Sequence, residues 1–429
     1  VNKVRNLWEL LGMQEAHLGR RPSRRRTALP MLLSLLLPGA SGWAASAPRV
    51  PAPRSLSPRA PVVAAVASLY DTPVIAREAP APLGPDPYKV VNDDLEYIKN
   101  SIRKVLSEKG SGGGALARNE VLTMAAREFM QRKGKSFRPM LVLLVGRATG
   151  ADFVAEPRHT KLAVIAEMIH TASLIHADVL EEDLDRVDQE DDRMGTVVHQ
   201  EVALDVGNKV CILAGDFLLA KAAVELSLLC NSDVTAIVAG GLEQICEGGM
   251  KSYDPSEGDA SMSRSLDEHL DACRRRHAQL IGNACQAAAV ISGHDADSTV
   301  AMGVLEFGVE LAMAQLLCQE AQEAEKLIKA AKGRGAIKAA PVPSAPLYAS
   351  MEKEPQLRTL LLQRDTYAAQ ALELVERGGG VARTWELAAE SAQNAANLLQ
   401  ILPASAARDA LVVLCHKVLN ADDPNDPRS

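Results

Sequence analysis

Two groups of charged residues could do chemistry. Gly134-Lys135-Ser136-Phe137-Arg138-Pro139 places two cations three residues apart at what reads as a helix start, where they share a face and can grip a diphosphate. Such a Lys/Arg pair, taken alone, is more often solvated surface. The second group is the stretch Leu174–His199, which carries Asp178, Glu181, Asp183, Asp185, Asp188, Asp191 and Asp192 ahead of Arg193. Carboxylates projecting from facing helices hold Mg²⁺, and Mg²⁺ draws a diphosphate leaving group away. Asp178 and Glu181 are three apart, close to the four-residue step that aligns side chains on one helical face. A dense acidic run is also what a solvated loop looks like.

The elements that must position these groups are helical. The chain is 47% hydrophobic but only 3% aromatic, and its Ala and Leu richness favours helix over sheet. Val90, Val91, Leu95, Ile98, Ile102 and Val105 recur at helical spacing and mark a first amphipathic helix, ended by Gly110-Ser111-Gly112-Gly113-Gly114. Residues 162–180, 206–229 and 280–290 read as long, mostly buried helices. Residues 304–328, 360–375, 381–399 and 406–419 read as further helices, with loops expected at 249–258, 293–297 and 333–346. The expected fold is all-α, a large single-domain helical bundle over residues 86–429 with its sites between helices.

Charge is unevenly spread along the 429 residues, whose formal net is −7. Residues 1–85 hold eleven Lys and Arg against four Asp and Glu, a net of +7, so the body carries −14. An acidic body argues against a nucleic-acid partner. Arg20, Arg21, Arg24, Arg25 and Arg26 precede an apolar run, Ala28 to Leu37, and Ala45-Ser46-Ala47 follows as a cleavage-type site. Residues 48–85 then turn rich in Pro, Ala, Arg and Ser. Residues 1–85 are thus expected to be a targeting presequence and disordered linker, resembling the bipartite signal-plus-transit leaders of plastids. A mitochondrion or other organelle is the alternative destination. No later segment reads as transmembrane. The seven cysteines form no CxxC pair and read as reduced core residues.

Taken in order, several motifs resemble trans-polyprenyl diphosphate synthases, closest to the plastid and cyanobacterial solanesyl-type branch. GKSFRP is followed by Glu167-Met168-Ile169-His170-Thr171-Ala172-Ser173-Leu174-Ile175-His176, then Gly207-Asn208-Lys209, Leu213-Ala214-Gly215-Asp216-Phe217-Leu218-Leu219-Ala220 and Gly378-Gly379-Gly380. The resemblance spans about Asp86 to Leu419. It implies an isoprenoid synthase bundle that binds isopentenyl diphosphate through Lys135, Arg138 and His170. It places the allylic diphosphate on Arg193, Arg276, Gln315 and Lys332, and gives Ala172 and Ser173 a product-length tunnel. Without it, His170 reads as a satisfied core histidine, and Ala172 and Ser173 as simple helix packing.

Both aspartate-rich motifs of that family are degenerate here. Ala177 stands at the first aspartate of the first motif and Glu181 at its last, leaving Asp178 and Glu181 as residual metal ligands. The family's FQxxDDxxD becomes Ala314-Gln315-Leu316-Leu317-Cys318-Gln319-Glu320-Ala321-Gln322, with Cys318, Gln319 and Gln322 at the three aspartates. Its lysine-threonine pair becomes Arg276-His277, and its paired arginine becomes Arg193-Met194-Gly195. Three readings stand. The chain is a catalytically impaired or non-catalytic subunit, in a homo- or heterodimer with an intact paralogue. Otherwise it is an active long-chain prenyltransferase whose acidic insertion supplies Mg²⁺ ligands. The third reading is a scaffold or binding protein on the same fold.

Overall fold

The structure, a computed structural model, describes residues 73–107, 120–131, 136–150, 157–177, 194–251, 265–332, 343–362 and 368–420. Two compact units divide the chain; the first, Val1–Ala60, lies outside the described residues, and all that follows concerns the second, Pro61–Ser429. The expected leader and cleavage site fall outside the described residues.

Among the described residues every regular element is a helix. In chain order they are α1 (Pro87–Val90), α2 (Asn92–Ser107), α3 (Glu120–Gln131), α4 (Phe137–Thr149), α5 (Pro157–Ala177), α6 (Met194–Ser227) and α7 (Ser232–Lys251). Next come α8 (Leu266–Cys273), a π-helical turn (Arg274–Ala278), α9 (Gln279–Ile291), α10 (Thr299–Lys332), α11 (Ala345–Met351), α12 (Gln356–Leu362), α13 (Ala368–Gly378), α14 (Gly380–Leu398) and α15 (Ala406–Leu419). The bundle is all-α, as the composition predicts.

Helix α9 is the hub. Every residue from Leu280 to Ile291 is buried, and the helix packs on α4, α5, α7 and α10. It crosses α10 closely because both partners are glycine at the contact. A Cβ on Gly308 would lie 2.9 Å from the Cα of Gly282, and one on Gly282 would lie 2.8 Å from the Leu305 carbonyl oxygen. That approach sets the middle of α10 against both α9 and the π turn. Helix α10 is also the one described helix long and apolar enough to cross a membrane; 67% of its apolar window is buried against neighbouring helices.

Two expectations need correction. The linker was expected to reach residue 85, yet the chain is docked on the body from Pro73 onward. Ile75 is 2% exposed and its N–H donates to Gln393 Oε1 at 2.8 Å, while the Arg77 guanidinium sits 4.1 Å over the Trp385 ring. A buried aliphatic side chain and a cation–π contact hold a stretch whose Pro/Ala composition reads as unstructured. The loop expected at 249–258 begins later, since α7 runs to Lys251.

Candidate active site

Arg138 lies in the first turn of α4, behind Ser136, whose backbone is left-handed (φ 53°). Glu167 and His170 are three apart on α5 and so share a face. The π turn contributes Arg276 and His277, both solvent-facing in part. These groups feel one another. Burial pulls the His170 imidazole down to about 2, helped by the positive charge of Arg138 and by His277. Burial likewise lowers His277, with Arg276 adding to the shift and Glu320 opposing it. Burial pushes the Glu167 carboxyl up against the pull of Arg138. Desolvation is the largest influence on Arg138, Glu167, His170 and His277, yet Arg138, Glu167 and His170 keep partial solvent contact. They line a cleft.

Two polar atoms of this cluster, Arg138 Nε and Glu167 Oε2, are shielded from solvent and have no hydrogen-bond partner among the described residues. A buried unpaired donor is costly unless a ligand satisfies it. On the π turn, Arg274 is tied to Glu306 (2.7 Å) and Glu310 (2.9 Å), and Arg275 to Asp271 (3.1 Å). Arg276 has no ion-pair partner among the described residues. A single turn of π geometry, common where helices carry function, thus leaves one arginine free beside two that are anchored.

Of the residues singled out in the sequence, the structure brings Arg138 and His170 together; Arg276 reaches them only through its chain neighbour His277, which feels both. Lys135, Asp178, Glu181 and Arg193 lie outside the described residues, as does the acidic insertion. Lys332 stands apart: it ends α10, about 18 Å of helix beyond Glu320, and its Nζ pairs with Glu376 at 2.7 Å on the exposed side. The carboxylate of α13 has captured that lysine. Ala172 and Ser173 continue the α5 face on which Leu162, Ile165, Ala166 and Ile169 line a small apolar cavity against α7 and α9. Ala172 is fully buried, and the Ser173 hydroxyl donates to the His170 carbonyl at 2.7 Å.

Gln315, Cys318, Gln319 and Gln322 follow one face of α10 at i, i+3, i+4 and i+7. Cys318 is fully buried, and the Gln322 Nε2 is sheltered without a partner. Mg²⁺ seeks anionic oxygens in near-octahedral array. A thiol and three carboxamides do not fit it, and no step through Mg²⁺ follows from this face.

Sequence reasoning missed a neighbouring cluster of side chains. His269 and Cys273 on α8 meet Glu320 of α10, and Burial and Glu320 raise the Cys273 thiol to about 12, Arg276 opposing. An i, i+4 His/Cys pair was the available signal. Of the cysteines expected in the core, five are buried, whereas Cys230 and Cys246 are exposed, and none is joined in a disulfide among the described residues.

The polyprenyl synthetase family model matches residues 119–315, ending three residues before Cys318. A prenyl transferase of Synechocystis sp. is 33% identical over 334 residues, covering 77% of this chain and 96% of the relative. Solanesyl diphosphate synthase 3, chloroplastic/mitochondrial, of Arabidopsis thaliana is 31% identical over 361 residues, or 78% and 80% of the two chains. A Caulobacter crescentus polyprenyl synthase, crystallised with calcium and isoprenyl diphosphate, shares the fold at a TM-score of 0.60 and 20% identity, covering 79% of this chain and 99% of its own. By its ordered motifs, its helical bundle and these relatives, the chain belongs to the polyprenyl synthetase family.

Proposed function

We propose that the chain is a long-chain polyprenyl diphosphate synthase subunit that does not ionise allylic diphosphate by itself. It acts by pairing with an intact member of its family. The observation that carries this reading is the α10 face, where Cys318, Gln319 and Gln322 offer no carboxylate to a divalent cation beside a cleft that keeps its cations. Arg138 and Arg276 supply positive charge for a diphosphate, and His170, held neutral, supplies a hydrogen bond without adding repulsion to that cluster. Affinity for isopentenyl or allylic diphosphate therefore outlives the metal-dependent step. The long-chain assignment rests on the solanesyl-type relatives and on the small residues Ala172 and Ser173 along the cavity face. Plastid delivery by the basic leader is supported by relatives named chloroplastic.

Pairing is supported by helix α6. Leu213, Phe217, Ala220, Val224 and, just past its end, Leu228 recur at helical spacing on its surface, with Leu213, Val224 and Leu228 at 42%, 52% and 55% exposure. A contiguous apolar stripe of this kind is uncommon on a chain that works alone. The purified chain, given Mg²⁺, isopentenyl diphosphate and an allylic diphosphate, should show little or no elongation. Added to an intact family member, it should change that enzyme's rate or product length. Robust turnover by the lone chain sinks the reading, and so does a mixture with neither association nor change.

A further inference from the structure

Beside the cleft, His269 and Cys273 stand one turn apart on α8, and Glu320 reaches them from α10. We propose that these three side chains form a site for a borderline transition-metal ion of the Zn²⁺ class, distinct in chemistry from the Mg²⁺ sites of aspartate-rich motifs. The inference goes beyond the proposed function and does not rest on it.

Geometry carries the assignment. The ligand atoms of the three residues all lie within 4.8 Å of one another. His269 Nε2 is 3.5 Å from Cys273 Sγ and 3.4 Å from each oxygen of Glu320. A tetrahedral zinc centre with arms of roughly 2.0–2.3 Å has ligand-to-ligand edges of roughly 3.3–3.8 Å. The two edges at His269 already have that length, and the third closes with a side-chain adjustment below about 1 Å. A hydrogen-bonded pair looks different. A ring nitrogen bonded to a carboxylate sits at about 2.7–2.9 Å from one oxygen, whereas here it is equally far from both. The three groups surround a point; they do not form a chain of bonds.

The surroundings hold the donors in place. The Ala345 N–H donates to Glu320 Oε2 at 2.8 Å, fixing the carboxylate and leaving Oε1 for a metal. Tyr348 packs on the imidazole with ring centroids 4.9 Å apart. His269 and Cys273 are both nearly buried, at 9% and 7% exposure, so rotamers are confined before any ion arrives. Such supporting contacts raise affinity by limiting what must be ordered. One thiolate, one imidazole and one carboxylate form a soft-to-borderline set that favours Zn²⁺ over Mg²⁺ or Ca²⁺. On binding, the metal–sulfur bond forms as the Cys273 thiol proton passes to solvent, and three protein ligands leave a position for water. The ion would tie α8 to α10 directly ahead of the π turn that presents Arg276.

The full-length chain, stripped with a chelator and titrated with Co²⁺ as a spectroscopic stand-in, tests this. One equivalent should bind with a sulfur-to-cobalt charge-transfer band and tetrahedral ligand-field intensity, and Zn²⁺ should displace it. Cys273→Ser should abolish the charge-transfer band, and His269→Gln or Glu320→Gln should weaken binding about ten- to hundredfold. A Cys230→Ser, Cys246→Ser variant should leave the spectrum unchanged. Absence of stoichiometric binding, an octahedral spectrum, or a charge-transfer band lost with the exposed cysteines overturns the site. Should Cys273→Ser fail to fold, the wild-type spectrum and the Glu320→Gln affinity decide the matter. Elongation activity enters none of these measurements.

Discussion

His170 sits where an imidazolium would meet Arg138 with little water to screen it, and its pKa of about 2 follows from that burial and charge. In the unfolded chain the same residue titrates near 6.5. Below that pH the unfolded state binds a proton that the folded state refuses, so stability falls as pH drops from about 6.5 and is level above it. His277, also held low by burial, acts in the same direction. One full proton corresponds to about 1.4 kcal/mol per pH unit, and partial solvent access at His170 reduces this to roughly 1 kcal/mol or less. Replacing His170 with Gln should therefore flatten, though not erase, the fall in urea midpoint between about pH 6.5 and pH 5. Identical pH profiles for the two proteins would show that the imidazole is protonated in the fold and that the cleft is wetter than its charges imply.

The π turn is the element on which the diphosphate reading turns. Arg274 joins it to α10 through Glu306 and Glu310, whose side chains are 20% and 13% exposed. Arg274→Ala strands both carboxylates and should cost roughly 1–3 kcal/mol, discounted because the guanidinium is itself partly solvated. Arg276→Ala should leave the unfolding free energy within about 0.5 kcal/mol of wild type but weaken binding of inorganic pyrophosphate about ten- to hundredfold, the value of one charge-assisted contact. Calorimetric titration with pyrophosphate separates the two, and unchanged binding by Arg276→Ala removes that residue from the site. Much of this was legible beforehand. The helix over 406–419 and the buried α9 follow from apolar spacing, and motif order singles out Arg138, His170 and Arg276 as candidates. Other features could not be read. The sequence marks Val206–Leu229 as apolar, but periodicity does not say whether an apolar face meets its own core or another chain, and Leu213 and Val224 prove exposed. Residues 360–375 read as one helix; 360–362 and 368–375 are helical, and 363–367 lie outside the described residues. His269, Cys273 and Glu320 meet only because α8 and α10 pack side by side, a tertiary fact with no local signature.

At the scale of the whole molecule, the α6 stripe from Leu213 to Leu228 runs about 22 Å, long enough to seed an interface of the usual size, near 800 Å² per partner. Among the described residues Leu213, Val224 and Leu228 take no part in the packed core, whereas Phe217 leans on it and Leu218 and Ala222, on the opposite face, are fully or almost fully buried in it. This separation makes a clean experiment possible. A carboxylate at an exposed helical position changes fold stability by about 0.5 kcal/mol or less, but an unpaired charge enclosed between two apolar faces costs several. The chain carrying Leu213→Glu and Val224→Glu should therefore keep its melting temperature and helical content while its mass by light scattering falls from that of a dimer to that of a monomer. In a mixture with an intact family member it should also lose any influence on product length, because that influence requires contact. A double variant that still dimerises would move the interface elsewhere on the bundle. One that turns monomeric yet still alters its partner's products would detach regulation from the α6 face, leaving the cleft cations as the part of this chain that acts on isoprenoid chemistry.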